Sequence, residues 1–374
     1  MSSSQKDRYQ TLLPIIDVAE HVQVDWKLLD ELSICAYYQG DYQAANRAYY
    51  LCLKQKNVIP LSEWNRIRSN QSCFTYNIDS YKDLCSEIDQ VATTFEAKSH
   101  SHMQAGCVPS VCHFVFLNGG DSYPFMLHHY LAIKSASSKM GWKHILIYND
   151  QTPTNNIWWT AMVHLPGVQV ITITPPTYLN NTTVVYKQHQ ADIIRLVALF
   201  RMGGVYMDLD MLTYNNFNHE LAKLDATTTV VLCKESEDRY SNAMIGCVKH
   251  SPFVKSWLQT YEQEYGQAQH DAWGGLSVVM PFKLSQQFPC LILPTPTFLP
   301  FDYMTTDFFT KTTTENASSI HLSSSTYGVH LWDTEQQKRN VLPKTIAAFQ
   351  SQKSMFTECF EEEMKLMMQA YPNA

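Results

Sequence analysis

A chain of 374 residues, 45% hydrophobic and only 17% charged, is too apolar to be disordered and long enough for two domains. Its 28 Lys and Arg against 35 Asp and Glu leave a net charge of −7, which argues against a protein built to grip a nucleic-acid backbone. No apolar run approaches the roughly 20 residues that span a bilayer. Asp7, Asp17, Glu20 and Asp25 interrupt the stretch where a secretory signal would lie, so the expectation is a soluble cytoplasmic protein. Ten cysteines are scattered without a C-x-x-C pair, a pattern of reduced, buried thiols.

Taken in chain order, residues 26–55 read as two helices. Leu28, Leu29, Leu32, Ala36 and Tyr37 recur at helical spacing, Gly40-Asp41 breaks the run, and Tyr42, Ala45, Tyr49, Cys52 and Leu53 form a second stripe. The order of these residues resembles one tetratricopeptide repeat, and a single repeat cannot bury its own apolar face. It is therefore expected to pack on the rest of the chain. Residues 61–104 read as further helix and a polar connection, so the division is a helical appendage over 1–104 and a larger unit over 105–374.

From residue 105 strands and helices alternate. Strands are expected at 111–117, 144–148, 168–174 and 205–208, and helices at 125–139 and 186–202. The alternation predicts an α/β fold with a mostly parallel sheet covered on both faces. In such sheets the ligand lies beyond the carboxyl ends of the strands. The segments Asn118–Asp121, Asn149–Gln151 and Asp208–Asp210 are the candidate site loops.

Residues 189–211, HQADIIRLVALFRMGGVYMDLDM, carry most of the chemistry. Asp192 and Arg195 fall three residues apart on one face of an otherwise apolar helix, where charges must pair or hold a ligand. Gly203-Gly204 then stops the helix. In extended backbone Asp208 and Asp210 face the same way, and a divalent cation removes the repulsion between their carboxylates. Oxygen ligands of this kind suit Mg²⁺ or Mn²⁺, which commonly also bind substrate phosphates.

The stretch resembles the DxD signature of retaining glycosyltransferases of family thirty-two, whose pattern is close to A-D-x-x-R-x-x-x-L-x-x-x-G-G-[IV]-Y-x-D-x-D. Every fixed element is present at the same spacing. VPSVCHFVF, HHYLAIKSA, Trp158-Trp159, Ser241-Asn242-Ala243, Ser251-Pro252-Phe253, Trp273 and GVHLW (328–332) resemble further landmarks, so the similarity covers about residues 106–335. The resemblance implies a GT-A fold, a nucleotide-sugar donor and transfer of a hexose to a hydroxyl with retention of configuration. It assigns Asp208 and Asp210 to ribose and metal-bridged diphosphate, Asp192 and Arg195 to the donor-sugar hydroxyls, and His330 and Trp332 to the motif that closes the diphosphate site. Tyr206 joins the donor-binding set as the fixed tyrosine of the pattern. Phe116, standing where the family commonly has tryptophan, would face the nucleobase with Leu117 and Asn118, and Asn242 would line the donor or acceptor side.

An imidazole beside carboxylates makes His330 a candidate third metal ligand and favours Mn²⁺ over Mg²⁺. Asp192, Arg195 and Asp210 are the expected catalytic residues. The implied donor is a UDP-hexose, with GDP-mannose the alternative, and the acceptor a glycan, glycoprotein or glycolipid. A helical appendage on such a transferase also resembles glycosylation enzymes encoded by large DNA viruses. Two other classes remain open: an inactive transferase-like domain serving as a helical-repeat adaptor, and a metal-dependent nucleotide-sugar hydrolase. A Rossmann dehydrogenase is disfavoured, because Gly119-Gly120 lacks the remaining glycines of that fingerprint.

Overall fold

The computed structural model describes residues 11–15, 24–39, 42–53, 55–69, 81–98, 107–117, 123–179, 182–184, 186–266, 274–315 and 320–371. The expected turn Gly40-Asp41, the polar stretch around His100 and His102, Asn118–Asp121 and Trp273 lie outside the described residues.

Helices α1 (Trp26–Gln39) and α2 (Tyr42–Leu53) are the two expected, and they pack on each other. With α3 (Leu61–Ser69) they enclose a small core of Leu29, Leu32, Ala36, Ala45, Ala48, Tyr49, Trp64 and Ile67. Helix α4 (Lys82–Lys98) belongs elsewhere. Tyr81, Leu84 and Ile88 join the core of the larger unit, Arg201 pairs with Asp89, and Glu87 accepts the Thr174 N–H at 3.1 Å. Removing residues 1–100 should therefore expose apolar surface on the sheet's covering helices and lower the melting temperature. Removing residues 1–80, which spares α4, should cost less. Thermal melts of the two truncations check this.

The larger unit begins with β1 (Val111–Phe116), α5 (Leu127–Met140), β2 (His144–Asn149), α6 (Ile157–Val163) and β3 (Val168–Thr172). A hairpin of β4 (Tyr178–Leu179) and β5 (Thr182–Thr183) precedes α7 (Lys187–Met202), β6 (Gly204–Met207) and β7 (Met211–Thr213). After α8 (Asn218–Leu221) come β8 (Val230–Ser236), β9 (Arg239–Cys247), α9 (Pro252–Glu264), α10 (Met280–Ser285) and β10 (Leu291–Leu293). The chain continues through α11 (Asp307–Thr310), β11 (Gly328–His330), α12 (Asp333–Lys338), α13 (Ile346–Ser351) and α14 (Met355–Ala370).

Seven strands form one sheet in the order β10-β8-β9-β6-β1-β2-β3. All pairings are parallel except those of β9 with β6 and β8. This is the expected α/β class, consistent with a GT-A fold. β1 is buried at every position, as a central strand covered on both faces must be. Cys112, Phe114 and Phe116 face one core, and Val111 and Val115 face the other, beneath α7 and α9. His113 is the polar exception. Burial pushes it down to about 4, so it is neutral, with Tyr148 Oη and the Gly203 carbonyl 3.0 and 2.8 Å from its two ring nitrogens.

Gly203 (φ +68°) and Gly204 (φ +98°) turn the chain from α7 into β6. A Cβ at Gly204 would lie 2.5 Å from the Val111 carbonyl oxygen, so the close approach of the two strands requires glycine. No helix among the described residues is long and apolar enough to cross a membrane, and the nine described cysteines are free.

Candidate active site

The two acidic residues of the DxD do not sit on an extended strand. β6 ends at Met207, and Asp208–Asp210 form a tight turn in which the Asp208 carbonyl accepts the Met211 N–H at 3.0 Å. Convergence of the carboxylates comes from this turn rather than from strand alternation. Asp208 is fastened to β9 through its own N–H, which donates to the Ala243 carbonyl at 2.8 Å.

Asp210 is fastened to the far end of the chain. β11 pairs antiparallel with β7, placing His330 opposite Met211. The Leu331 N–H then donates to the Asp210 carbonyl at 2.8 Å, and the Asp333 N–H donates to Asp210 Oδ2 at 2.9 Å. His330 Nε2 lies 3.2 Å from Asp210 Oδ1. The backbone between them passes through Trp332 in the left-handed region (φ +57°), held by an indole N–H bond to the Phe301 carbonyl at 3.1 Å and by ring contact with His330 at 4.3 Å.

Ligating atoms of Asp208, Asp210 and His330 lie within 4.8 Å of one another. The set fits a divalent cation: two carboxylates 25% and 17% exposed, and a buried imidazole whose Nδ1 has no hydrogen-bond partner among the described residues. Burial raises the Asp208 carboxyl, Arg195 opposes this, and Asp210 adds to it. Burial alone would raise Asp210 too, but His330 reverses the shift and leaves it below its ordinary value. One carboxylate is thus matched by a guanidinium and the other by an imidazole.

The Asp192–Arg195 pair on α7 is buried and fully engaged. Asp192 Oδ2 accepts the hydroxyls of Tyr261 and Ser277, each at 2.6 Å, while Oδ1 accepts Asn242 Nδ2 at 2.9 Å and meets Arg195 at 3.1 Å. Arg195 in turn donates to the Asn242 carbonyl at 2.8 Å, stacks 4.3 Å above the Tyr206 ring and reaches Asp208 Oδ1 at 3.2 Å. Burial would lower this guanidinium, but Asp208, Tyr206 and Asp192 outweigh that and keep it charged. The Tyr206 hydroxyl closes the ring by donating to Asp208 at 2.5 Å.

The structure thus joins Asp192, Arg195, Tyr206, Asp208 and Asn242 in one network, with Asp210, His330 and Trp332 adjoining it. Phe116 lies in an aromatic cluster with Phe125, Trp159, His129 and Tyr123, its ring centroid 5.1 Å from that of Phe125. Leu117 packs into the opposite core, and Asn118 falls outside the described residues.

Sequence reasoning passed over Tyr261 and Ser277, which nothing in their local sequence marks. It also missed the group around Asp333, although His128 and Asp333 stand in or beside motifs that the sequence displays. Asn149, opposite Phe116 at the carboxyl end of β2, buries both side-chain polar atoms without a hydrogen-bond partner among the described residues. It opens Asn149–Gln151, one of the candidate site loops expected from the sequence.

Residues 128–228 match the family described as "Glycosyltransferase sugar-binding region containing DXD motif". The chain is thus similar to glycosyltransferases over the stretch that carries the DxD. Glucan organizing enzyme 1 of Cryptococcus neoformans var. grubii is 26% identical over 242 residues, which make up 61% of this chain and 63% of that protein. The chain spans less than two thirds of that relative's length. Among solved structures, the PaToxG glycosyltransferase shares 14% identity over 57% of this chain and 80% of its own, with a TM-score of 0.37. The galactosyltransferase LgtC, in complex with donor and acceptor sugar analogs, shares 10% over 64% of this chain and 99% of its own, with a TM-score of 0.34. At such scores neither likeness bears on this chain's chemistry.

Proposed function

We propose that the chain is a metal-dependent glycosyltransferase that moves a hexose from a nucleotide-diphospho-sugar to an acceptor hydroxyl with retention of configuration. The observation that carries this reading is the convergence of Asp208, Asp210 and His330 beside a buried arginine. These three residues would hold a divalent cation, which supplies charge neutralisation for a diphosphate leaving group without a proton. The Leu331 and Asp333 N–H groups keep Asp210 oriented from the C-terminal side. Arg195 places a fixed positive charge against Asp208, while Asp192 and Asn242 hold the guanidinium in place. In this reading Asp192 and Arg195 act as one unit toward the donor sugar, with Arg195 the member nearer the metal carboxylates. The aromatic group around Phe116 and the buried amide of Asn149, which has no partner among the described residues, suit a nucleobase docked beyond β1 and β2. Among the described residues no side chain stands out as a covalent nucleophile, so attack by the acceptor hydroxyl on the face from which diphosphate departs is the preferred course.

The first donors to test are UDP-hexoses, then GDP-mannose, with glycan, glycoprotein or glycolipid acceptors. The reading takes residues 1–104 as an appendage and 105–374 as the catalytic unit, with α4 docked on the latter. Turnover should require a divalent ion, and Mn²⁺ should outperform Mg²⁺ because the donor set includes an imidazole. Full activity in excess chelator would sink the metal assignment. Donor breakdown at the same rate with and without every acceptor tried would favour a hydrolase.

A further inference from the structure

Behind Asp210 lies a second buried cluster. Asp333, the first residue of α12, accepts the Tyr123 hydroxyl on Oδ2 and Gln337 Nε2 on Oδ1 at 2.6 Å. His128 Nε2 stands 3.0 Å from Oδ1 and His129 Nε2 stands 3.9 Å from Oδ2. Gln337 Nε2 also bonds the Tyr123 oxygen at 3.1 Å, and all three residues offering ligand atoms, His128, His129 and Asp333, are buried.

Two histidines and a carboxylate invite a reading as another metal centre, but the proton positions oppose it. Burial, aided by His128, pushes His129 down to about 4, so the ring is neutral. Its Nδ1 accepts the Met126 N–H at 3.0 Å, which puts the ring proton on Nε2, the atom facing Asp333. A metal-bound imidazole has the reverse arrangement, its free nitrogen donating a proton. Both Asp333 oxygens already hold donors. The cluster is therefore organised around the Asp333 carboxylate itself.

That carboxylate has a partner through the backbone, because the N–H of the same residue donates to Asp210 Oδ2. We propose that Asp333 is a positioning residue: the Tyr123–His128–His129–Gln337 cradle fixes its carboxylate so that its N–H presets Asp210 for a divalent cation. The proposal rests on the metal reading given above. It also ties the metal carboxylate to Tyr123, which contacts Phe116, and so to the region expected to hold the nucleobase.

The test is Mn²⁺ titration of the full metal-stripped chain, followed by the electron paramagnetic resonance signal of free Mn²⁺, with no nucleotide present. Asp333→Asn turns an acceptor toward the cradle into a mixed group and should weaken Mn²⁺ binding about 10-fold or more, the usual cost of losing a residue that orients a ligand. Tyr123→Phe removes one donor, should weaken it less, and decides the matter should Asp333→Asn fail to fold. Glu363→Gln, which disturbs a buried contact to Lys139 on α5, should lower the melting temperature and leave Mn²⁺ affinity unchanged. Wild-type affinity in both cradle variants overturns this proposal alone. A wild-type chain that binds no Mn²⁺ overturns the metal reading and this proposal with it. Two Mn²⁺ per chain, one of them lost in His128→Gln, would replace the proposal with a second metal centre.

Discussion

Asp210→Asn should reduce sugar transfer by about three orders of magnitude while leaving the fold in place. The side chain keeps its shape and still has an oxygen for the Asp333 N–H, so circular dichroism at neutral pH should match wild type. What disappears is the anionic charge nearest His330. Metal-ion stabilisation of a leaving group is worth several kcal/mol, and about 4 kcal/mol corresponds to a thousandfold in rate. The variant also has a metal-free signature. Burial would lower His330, but Asp210 reverses this and raises it above its ordinary value. A histidine raised in the folded state contributes stability that is fully present below its unfolded value of about 6.5 and lost as pH rises through the folded value. In chelator, the wild type should therefore exceed Asp210→Asn in melting temperature most at acidic pH, and the gap should narrow as pH rises through the folded His330 value. A variant with wild-type turnover would remove Asp210 from the reaction.

Of the seven strands in the sheet, β1, β2, β3 and β6 were legible because burial leaves a pattern in residue type, whereas β8, β9 and β10 were not foreseen. β1 is apolar but for His113, β2 is apolar between His144 and Asn149, α7 is apolar over most of its middle, and Gly203-Gly204 marks the junction that only glycine can make. The DxD was legible as a pair of carboxylates but not as a turn, since a bond from the Met211 N–H to the Asp208 carbonyl leaves no mark in residue type. The docking of α4 was equally invisible. It rests on Leu84 and Ile88 entering the core of the larger unit and on Asp89 meeting Arg201, a pair 112 residues apart, and the helix alone does not say which surface its apolar stripe covers. The Asp333 cradle fails for the same reason, with Tyr123 and Asp333 separated by 210 residues. Trp332 in the left-handed region could not be foreseen, because tryptophan has no preference for it. Local pattern reveals which residues must be buried. It does not reveal which buried polar groups find one another.

Arg195→Leu should lower transfer about a hundredfold, and the size of that loss separates an active transferase from a structural ion pair. In the folded protein Arg195 sits between Asp192 and Asp208, with Asn242 and the Tyr206 face completing its surroundings. If its work is structural, removing one partner leaves Asp192 buried and uncompensated, at a cost of about 3–5 kcal/mol. The Asp192→Asn, Arg195→Leu double variant would then recover most of that stability and, with it, activity. If the guanidinium also serves the reaction, the double variant should recover stability only. A lost charged hydrogen bond is worth about 1.5–3 kcal/mol, enough for a hundredfold loss at its upper range, and a misplaced anomeric carbon adds to it. Binding of free nucleoside diphosphate with Mn²⁺ should persist in both variants, because Asp208, Asp210 and His330 are untouched. The decisive comparison is therefore melting temperature against turnover in the double variant. Recovery of both would make the pair a structural element of α7, whereas recovery of stability without turnover assigns Arg195 to the donor.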